Sequence, residues 1–586
     1  MNAKVSPIRS AIHILVLALF TLLICAPVLF HGLPDWGNDV NEHSRWAKLF
    51  SSQLWEGELY PRWFSQANAG YGSPSFFIYP PMPYYVAAVF YPLVKSSDPN
   101  GVYCIGFSAM LALFASGLGV YLWCRSFVDE AAALFAALIY MILPYHLAAD
   151  LYTRAAMGEL WGLAWMPFVL LATFGVIAEK RWALLALICS YGLLVFSHLP
   201  TTLCFSLFPL AAAAILSEPG KKLRIFMRVA GGLTVGMCLG AAYVLPAQFE
   251  GPYMKVGGTH SGEFNYQRWW LTQIQPLFDS RTRLLLMEML TIALVAGAAW
   301  HCYRYLPVGA RKERRLLWLL LGTCLGALFM TTQLSKPVWM LFPLLQGLPF
   351  PTRFLLPFNI AAAGVIALGF PYFRAFVSRW VSTGMILVLL VIISATVWAG
   401  SKAYSVWRPF APQQAAYYDK VHRYIRDYQA FWPKWTRIEV SDFPAFEQYV
   451  VQHPPRGSQL ISDDGQPIGA VTVESWKPRK FVLRIQTPTP AHLTVNHFYY
   501  PGWRGHVESS GKELTVAPSE PDGFLKLNVP EGSYQLTVTL DPVWPERAGN
   551  LLSLAALIVT AGLAIWTART GRYSRIRVAP DSAHRS

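Results

Sequence analysis

Phe76-Phe77-Ile78-Tyr79-Pro80-Pro81-Met82-Pro83-Tyr84-Tyr85 opens an apolar stretch that runs to Val94, and whether this stretch crosses a bilayer decides the topology of everything after it. Prolines lack a backbone donor and break helices, so Pro80, Pro81 and Pro83 favour a helix lying in or dipping into the outer leaflet. Read as a true span, it would invert all that follows. Working outward, apolar runs of spanning length occupy 11–30, 102–124, 130–149, 160–177, 182–198, 200–217, 228–247, 283–303, 315–331, 354–373, 381–399 and 548–567, about twelve in all. With a cytoplasmic N-terminus and a non-crossing 76–94, the inner connections carry Arg125, Lys180-Arg181, Lys221, Lys222, Arg224, Arg228, Arg304, Arg311, Lys312, Arg314, Arg315, Arg374 and Arg379. The tail adds Arg569, Arg572, Arg575 and Arg577. Every inner connection is then basic, as the positive-inside rule requires, and this argues against the inverted reading.

Composition points the same way. Of 586 residues 54% are hydrophobic and 14% charged, with 22 Trp, 28 Tyr and 35 Phe, too little polar surface for a soluble chain of this length. The net charge of +15 is largely a topology signal, and nucleic acid is not expected as a partner. Lys4 and Arg9 precede the first apolar run, which is too long for a signal-peptide core and has no A-x-A site after it, so it reads as an anchor. The eight cysteines lie in or beside apolar segments, with no CxxC and no disulfide framework.

The expected organisation is a polytopic α-helical membrane domain over 1–400, an extracytoplasmic β-rich domain over 401–546, and a terminal helix with a basic tail over 547–586. Outer loops are 31–101, 150–159, 248–282 and 332–353. An amphipathic helix is expected around Tyr417–Ile425. Alternation in Val471–Val473, Phe481–Ile485, His492–Val495, Phe524–Leu527 and Tyr534–Val538 then marks strands between Pro/Gly turns, which fits a small β-sandwich. Its role is either a structural lid or glycan binding.

Chemistry is sought in the outer loops. If a helix starts at Asp39, then Asp39, Glu42 and His43 share a face, and this cluster would suit a general base or a divalent cation. The alternative is a solvated helix start with Asp39 near the dipole; Arg45 follows as a supporting residue. Arg154 and Glu159 stand between two spans, where charge is costly unless paired or functional, so they read as a structural pair or as part of a phosphate site. His198 closes a span, and Glu250 and Lys255 lie in the next outer loop. A phosphate held at a membrane surface needs cations from several segments, for which Arg62, Arg154, Lys255 and Arg353 are the candidates.

These features resemble the GT-C superfamily of integral-membrane glycosyltransferases, through Asp39 near the start of a large outer loop and Tyr79-Pro80-Pro81-Met82-Pro83-Tyr84. A closer likeness is to bacterial membrane proteins called 6-pyruvoyl-tetrahydropterin synthase-related. It rests on Asp39-x-x-x-His43-x-Arg45, Tyr152-x-Arg154 with Glu159, Leu245-Pro246-Ala247 with Glu250, Pro351-Thr352-Arg353-Phe354 and Tyr499-Tyr500-Pro501-Gly502-Trp503. The adjacent acidic pair of many superfamily members is missing, so a metal is left open. The resemblance implies a polyprenyl-phosphate sugar donor, an envelope glycan, lipid or protein acceptor, transfer with inversion, and a place in the bacterial inner membrane with the site outside. Asp39 would be the base and the cations would stabilise the departing lipid phosphate. No Gly-rich nucleotide loop competes with that reading. A transporter or flippase of lipid-linked saccharide and a non-enzymatic envelope assembly factor are the other readings.

Overall fold

The computed structural model describes residues 7–33, 38–98, 100–255, 265–273, 280–376, 429–438 and 443–576. The chain opens with α1 (Pro7–Ile24), α2 (Ala26–His31), α3 (Val40–Trp55) and α4 (Met82–Val94). The main bundle follows as α5 (Val102–Cys124), α6 (Glu130–Ile142), α7 (Met157–Ile177), α8 (Ala183–Ser197), α9 (Leu199–Phe205), α10 (Leu207–Leu216), α11 (Lys222–Leu239) and α12 (Ala241–Phe249). It continues through α13 (Ser280–Tyr305), α14 (Arg311–Met330) and α15 (Leu355–Phe376), with α16 (Phe443–Gln452) before the strands and α17 (Trp544–Ile576) after them.

Among the described residues seven helices are long and apolar enough to cross a membrane, or up to nine if each of two bent pairs is one span. That is fewer than the twelve expected, and the shortfall has local causes. The first segment breaks at Cys25, where Pro27 in the first turn of α2 removes a donor that a continuous helix would use. The segment at 182–198 folds as α8, only 15 residues long. The 228–247 segment bends by 70° between α11 and α12, and the chain turns by 89° after α14 into 333–341. The segment 381–399 and the helix expected at 417–425 lie outside the described residues. α4 has 13 residues, roughly 20 Å of helix against a hydrocarbon core of about 30 Å.

The C-terminal domain is an antiparallel array of β1 (Ser458–Ile461), β2 (Ala470–Lys477), β3 (Lys480–Thr487), β4 (Ala491–Phe498), β5 (Trp503–Val507), β6 (Lys512–Pro518), β7 (Phe524–Val529) and β8 (Gly532–Leu540). Its order is β1-β4-β7-β6-β5-β8-β3-β2. β6 pairs with β5 over Lys512–Thr515 and with β7 over Val516–Pro518, so one strand joins two layers. Alternate residues point inward: Phe481, Leu483 and Ile485 from β3 and Leu536 and Val538 from β8 share one core with Leu493 and Val495 from β4 and Leu527 from β7. Trp63, Tyr71 and Phe77, from the loop after α3, are buried in that same core. Trp63 Nε1 donates to His497 Nε2 at 3.0 Å, and the Phe498 N–H donates to the Tyr71 carbonyl at 2.7 Å. At roughly 1.5–3 kcal/mol per buried large apolar side chain, these three aromatics fasten the loop between α3 and α4 to the β-domain.

Candidate functional site

The site forms where α6 ends. Leu143 precedes Pro144 and is extended (φ −54°, ψ 141°), as a residue before proline prefers, and α6 stops at Ile142. The chain rewinds as a π-type helix, Tyr145–Arg154. Ala155 then takes a left-handed conformation (φ 54°), its neighbour's N–H returns to the Asp150 carbonyl at 2.7 Å, and α7 begins at Met157. This tight reversal sets Glu159 against the Arg154 guanidinium, which holds both carboxylate oxygens: Nη2 to Oε1 at 3.0 Å and Nη1 to Oε2 at 3.1 Å. Tyr145 donates its hydroxyl to Glu159 Oε2 at 2.7 Å, and Arg154 also reaches Asp150 at 3.1 Å.

Two more segments converge on Glu159. Arg353, in the 3-10 turn Pro351–Phe354 ahead of α15, donates Nε to Glu159 Oε1 at 2.9 Å. Both guanidiniums stack on the Phe350 ring, at 5.8 Å for Arg154 and 5.2 Å for Arg353. His198 packs close because the second residue of α7 is a glycine: a Cβ on Gly158 would meet the Ser197 carbonyl at 2.9 Å and His198 Cδ2 at 3.0 Å. His198 Nδ1 accepts the Thr201 N–H at the start of α9, so the neutral ring carries its proton on Nε2.

Asp39 reaches this cluster through its backbone. The N–H groups of Asn38 and Asp39 donate to the carbonyls of Thr153 and Arg154, each at 3.1 Å. Asp39 is the N-cap residue of α3, its carbonyl accepting the His43 N–H at 3.0 Å, but its side chain makes no capping hydrogen bond and is exposed. Desolvation by the surrounding protein raises its carboxyl above the usual range, while the field of Arg154 pulls it down, Glu159 pushes it up and Arg353 again lowers it. A cavity of about 270 Å³ opens beside it, bounded by Asn38, Tyr145, Thr153, Arg154, Phe350 and Met287. A separate apolar groove of about 430 Å³ runs between α10 and α14 past Phe208, Trp318, Gly322 and Gly326 to Cys204 and to Phe354, the residue after Arg353.

The expected convergence of Asp39, Glu42 and His43 needs correcting. The i,i+4 relation holds inside a helix, and Asp39 sits before the first turn of α3. Glu42 turns to Arg45 on its own helix at 2.7 Å. His43 is buried, its Nδ1 2.6 Å from the Tyr84 hydroxyl and its ring against Trp46 and Tyr79, and burial drives its pKa down to about 3. Among the described residues no group of three or more His, Cys, Asp or Glu side chains could hold a metal ion. Arg62 also goes elsewhere: buried, it pairs with Glu546 at 3.0 Å and donates to the Ala242 carbonyl at 2.8 Å. Arg479 of the β-domain grips the same Glu546 at 2.8 and 3.0 Å. This second cluster ties the loop after α3, the β-domain and the start of α17 together. Glu250 is buried and accepts from the Tyr500 hydroxyl at 2.8 Å, and Lys255 lies over Trp432 at 5.4 Å, against the β-domain core. The structure therefore assembles Asp39, Arg154, Glu159, His198 and Arg353. Tyr145 and Asp150 join them without having stood out in the sequence; an acid and a proline break inside an otherwise apolar segment were the available signal.

A family model described as 6-pyruvoyl-tetrahydropterin synthase related domain, membrane protein, matches residues 76–402. A search of curated proteins finds no match. Among solved structures, the archaeal oligosaccharyltransferase AglB from Archaeoglobus fulgidus, in complex with an inhibitory peptide and a dolichol-phosphate, aligns at 14% identity and a TM-score of 0.39, over 74% of this chain and 62% of its own. The arabinofuranosyltransferase AftD from Mycobacteria aligns at 13% identity and a TM-score of 0.41, over 78% of this chain and 29% of its own. The chain thus spans less than two thirds of the length of either of these proteins.

Proposed function

The chain belongs to the 6-pyruvoyl-tetrahydropterin synthase-related family of membrane proteins, and from that premise and the geometry around Glu159 we propose that it is a membrane glycosyltransferase that moves a sugar from a polyprenyl-phosphate donor to an acceptor hydroxyl. The observation that carries this reading is the state of Arg353. Glu159 engages only its Nε, so both terminal amino groups are without a partner among the described residues. That planar fork suits a phosphate, and the exposed Asp39 carboxylate belongs to the same ionic cluster. The apolar groove ending at Phe354 gives a polyprenyl chain a path from the bilayer to this fork.

Asp39 takes the proton of the acceptor hydroxyl, whose oxygen attacks the sugar C1 from the face opposite the phosphate. The C1–O bond breaks, its electron pair leaves with the lipid phosphate, and Arg353, steadied by Glu159 and Phe350, meets that charge. Configuration at C1 inverts. A positioned base contributes about 10²–10⁴-fold, and preorganised donors on the leaving oxygen roughly 10²–10³-fold. Its engagement by both Glu159 and Asp150 gives Arg154 a positioning role. With the basic helix ends in the cytoplasm, the site and β-domain face the exterior of a bacterial inner membrane, and the acceptor is an envelope glycan, lipid or protein.

The purified chain incubated with a panel of polyprenyl-phosphate sugars tests the reading. Arg353→Ala should weaken donor binding and slow transfer, and Arg353→Lys should restore only part of both. Donor binding unaffected by Arg353→Ala refutes the phosphate fork. Saccharide crossing a bilayer with no new glycosidic bond would make the protein a transporter.

A further inference from the structure

The opposite end of the bundle holds a second built site. α17 leaves the β-domain at Glu546, and Arg181 donates Nε to the Thr567 carbonyl at 2.9 Å, about 32 Å further along at 1.5 Å per residue. That distance matches the hydrocarbon thickness of a bilayer, so this end meets the other membrane face. Here a cavity of about 470 Å³ opens between α5, α7, α10, α11 and α14. Its floor is apolar, with Phe127, Phe174, Leu216 and Leu316, and its rim carries Lys180, Lys221, Lys312 and Arg315 with Glu179, Glu218 and Glu313.

Lys221 is already engaged, with Glu179 at 2.8 Å and Glu218 at 3.4 Å, and Arg224 adds a second cation to Glu179. Lys180, Lys312 and Arg315 have no ion-pair partner among the described residues. Ser217 also lines the cavity; it is 2% exposed and its hydroxyl has no hydrogen-bond partner among the described residues. A buried hydroxyl left unpaired is costly, and here it borders a space rimmed by Glu313 and by cations that have no ion pair among the described residues. An apolar floor under a rim whose Lys180, Lys312 and Arg315 outnumber the remaining carboxylate, Glu313, suits a lipid with a negatively charged headgroup.

We infer that this cavity is a binding site for an anionic phospholipid, its phosphate at Lys312, Arg315 and Ser217 and the start of an acyl chain against Phe127, Phe174 and Leu316. The charge complements the anionic lipid leaflet, where each basic side chain contributes about a fivefold gain in binding. The site is independent of the proposed transfer reaction.

The test uses the full-length protein in neutral detergent, titrated with phosphatidylglycerol, phosphatidylcholine or inorganic phosphate while its thermal midpoint is followed. Phosphatidylglycerol should raise the midpoint saturably and the other two should not. Lys312→Ala with Arg315→Ala should weaken that binding about 25-fold, two cations at about fivefold each; Ser217→Ala should weaken it in a protein whose charge is unchanged, and Arg311→Ala, beside the cavity rather than lining it, should leave it unaltered. An equal response to phosphatidylcholine would reduce the site to an apolar crevice. Saturation by inorganic phosphate alone would assign it to a free anion, and equal losses in the Arg311→Ala and lining variants would reduce it to diffuse surface charge. Each of these outcomes overturns the proposal.

Discussion

Glu159→Gln probes the centre of the ionic cluster with almost no change of shape. Each carboxylate oxygen accepts two hydrogen bonds: Oε1 from Arg154 Nη2 and Arg353 Nε, Oε2 from Arg154 Nη1 and Tyr145. Whichever way the amide is turned, its NH₂ faces two donors. The best arrangement places it toward Oε2's site, where Tyr145 can rotate and accept, so one charge-assisted bond is lost, worth about 1.5–3 kcal/mol. Both guanidiniums also lose their shared counter-charge. Breaking a buried pair costs about 3–5 kcal/mol, and the lower end applies because Arg154 keeps Asp150 at 3.1 Å and is 22% exposed. The expected destabilisation is therefore about 3 kcal/mol, read from equilibrium unfolding in a denaturing detergent followed by circular dichroism. Combining it with Arg353→Met should give less than the sum of the two single effects, since both remove one contact. A loss below about 1 kcal/mol, or strict additivity, would refute the convergence of both arginines on Glu159.

Asp39→Asn should preserve donor binding and lower turnover by about 10²–10⁴-fold. In the parent protein the acid limb of the pH–rate profile should lie above the ordinary carboxylate range, because desolvation raises this group, and the limb should vanish in the variant. Glu250→Gln tests a pH-dependent stability. Burial first lifts Glu250 to about 7, with the Tyr500 hydrogen bond opposing, so the folded state holds a proton that the unfolded chain, near 4.3, releases earlier. The stability this gives is complete below about pH 4.3 and is lost as pH rises through 7, on the order of 3 kcal/mol; the variant's pH–stability curve should be flatter, and an unchanged curve would count against a buried neutral Glu250. Gly158→Ala should displace His198 and lower transfer while leaving the β-domain's unfolding signal unchanged, and normal turnover would show that the close approach of α7 to His198 is dispensable.

Much of this protein was legible in residue order alone. Apolar runs flanked by one-sided Lys and Arg define a membrane chain because bilayer transfer depends on local composition, and the alternation at Phe481–Ile485 and Tyr534–Val538 marks strands because side chains on a strand alternate faces. Asp39, Arg154, Glu159 and Arg353 were visible singly, as charges beside spans where charge is expensive. Their partners were not. Arg62 and Arg353 look alike in sequence, each an arginine within two residues of a proline in an outer loop, yet Arg62 is consumed by Glu546 at the start of α17 and Arg353 meets Glu159 through Nε alone, its terminal amino groups without a partner among the described residues. His43 shares a helical repeat with Asp39 and still faces Tyr84 in the core. The tertiary structure decided these outcomes because ion pairing acts through space, over a few ångströms, and which helix ends meet is set by packing among segments hundreds of residues apart, a relation that spacing along one strand of sequence does not contain.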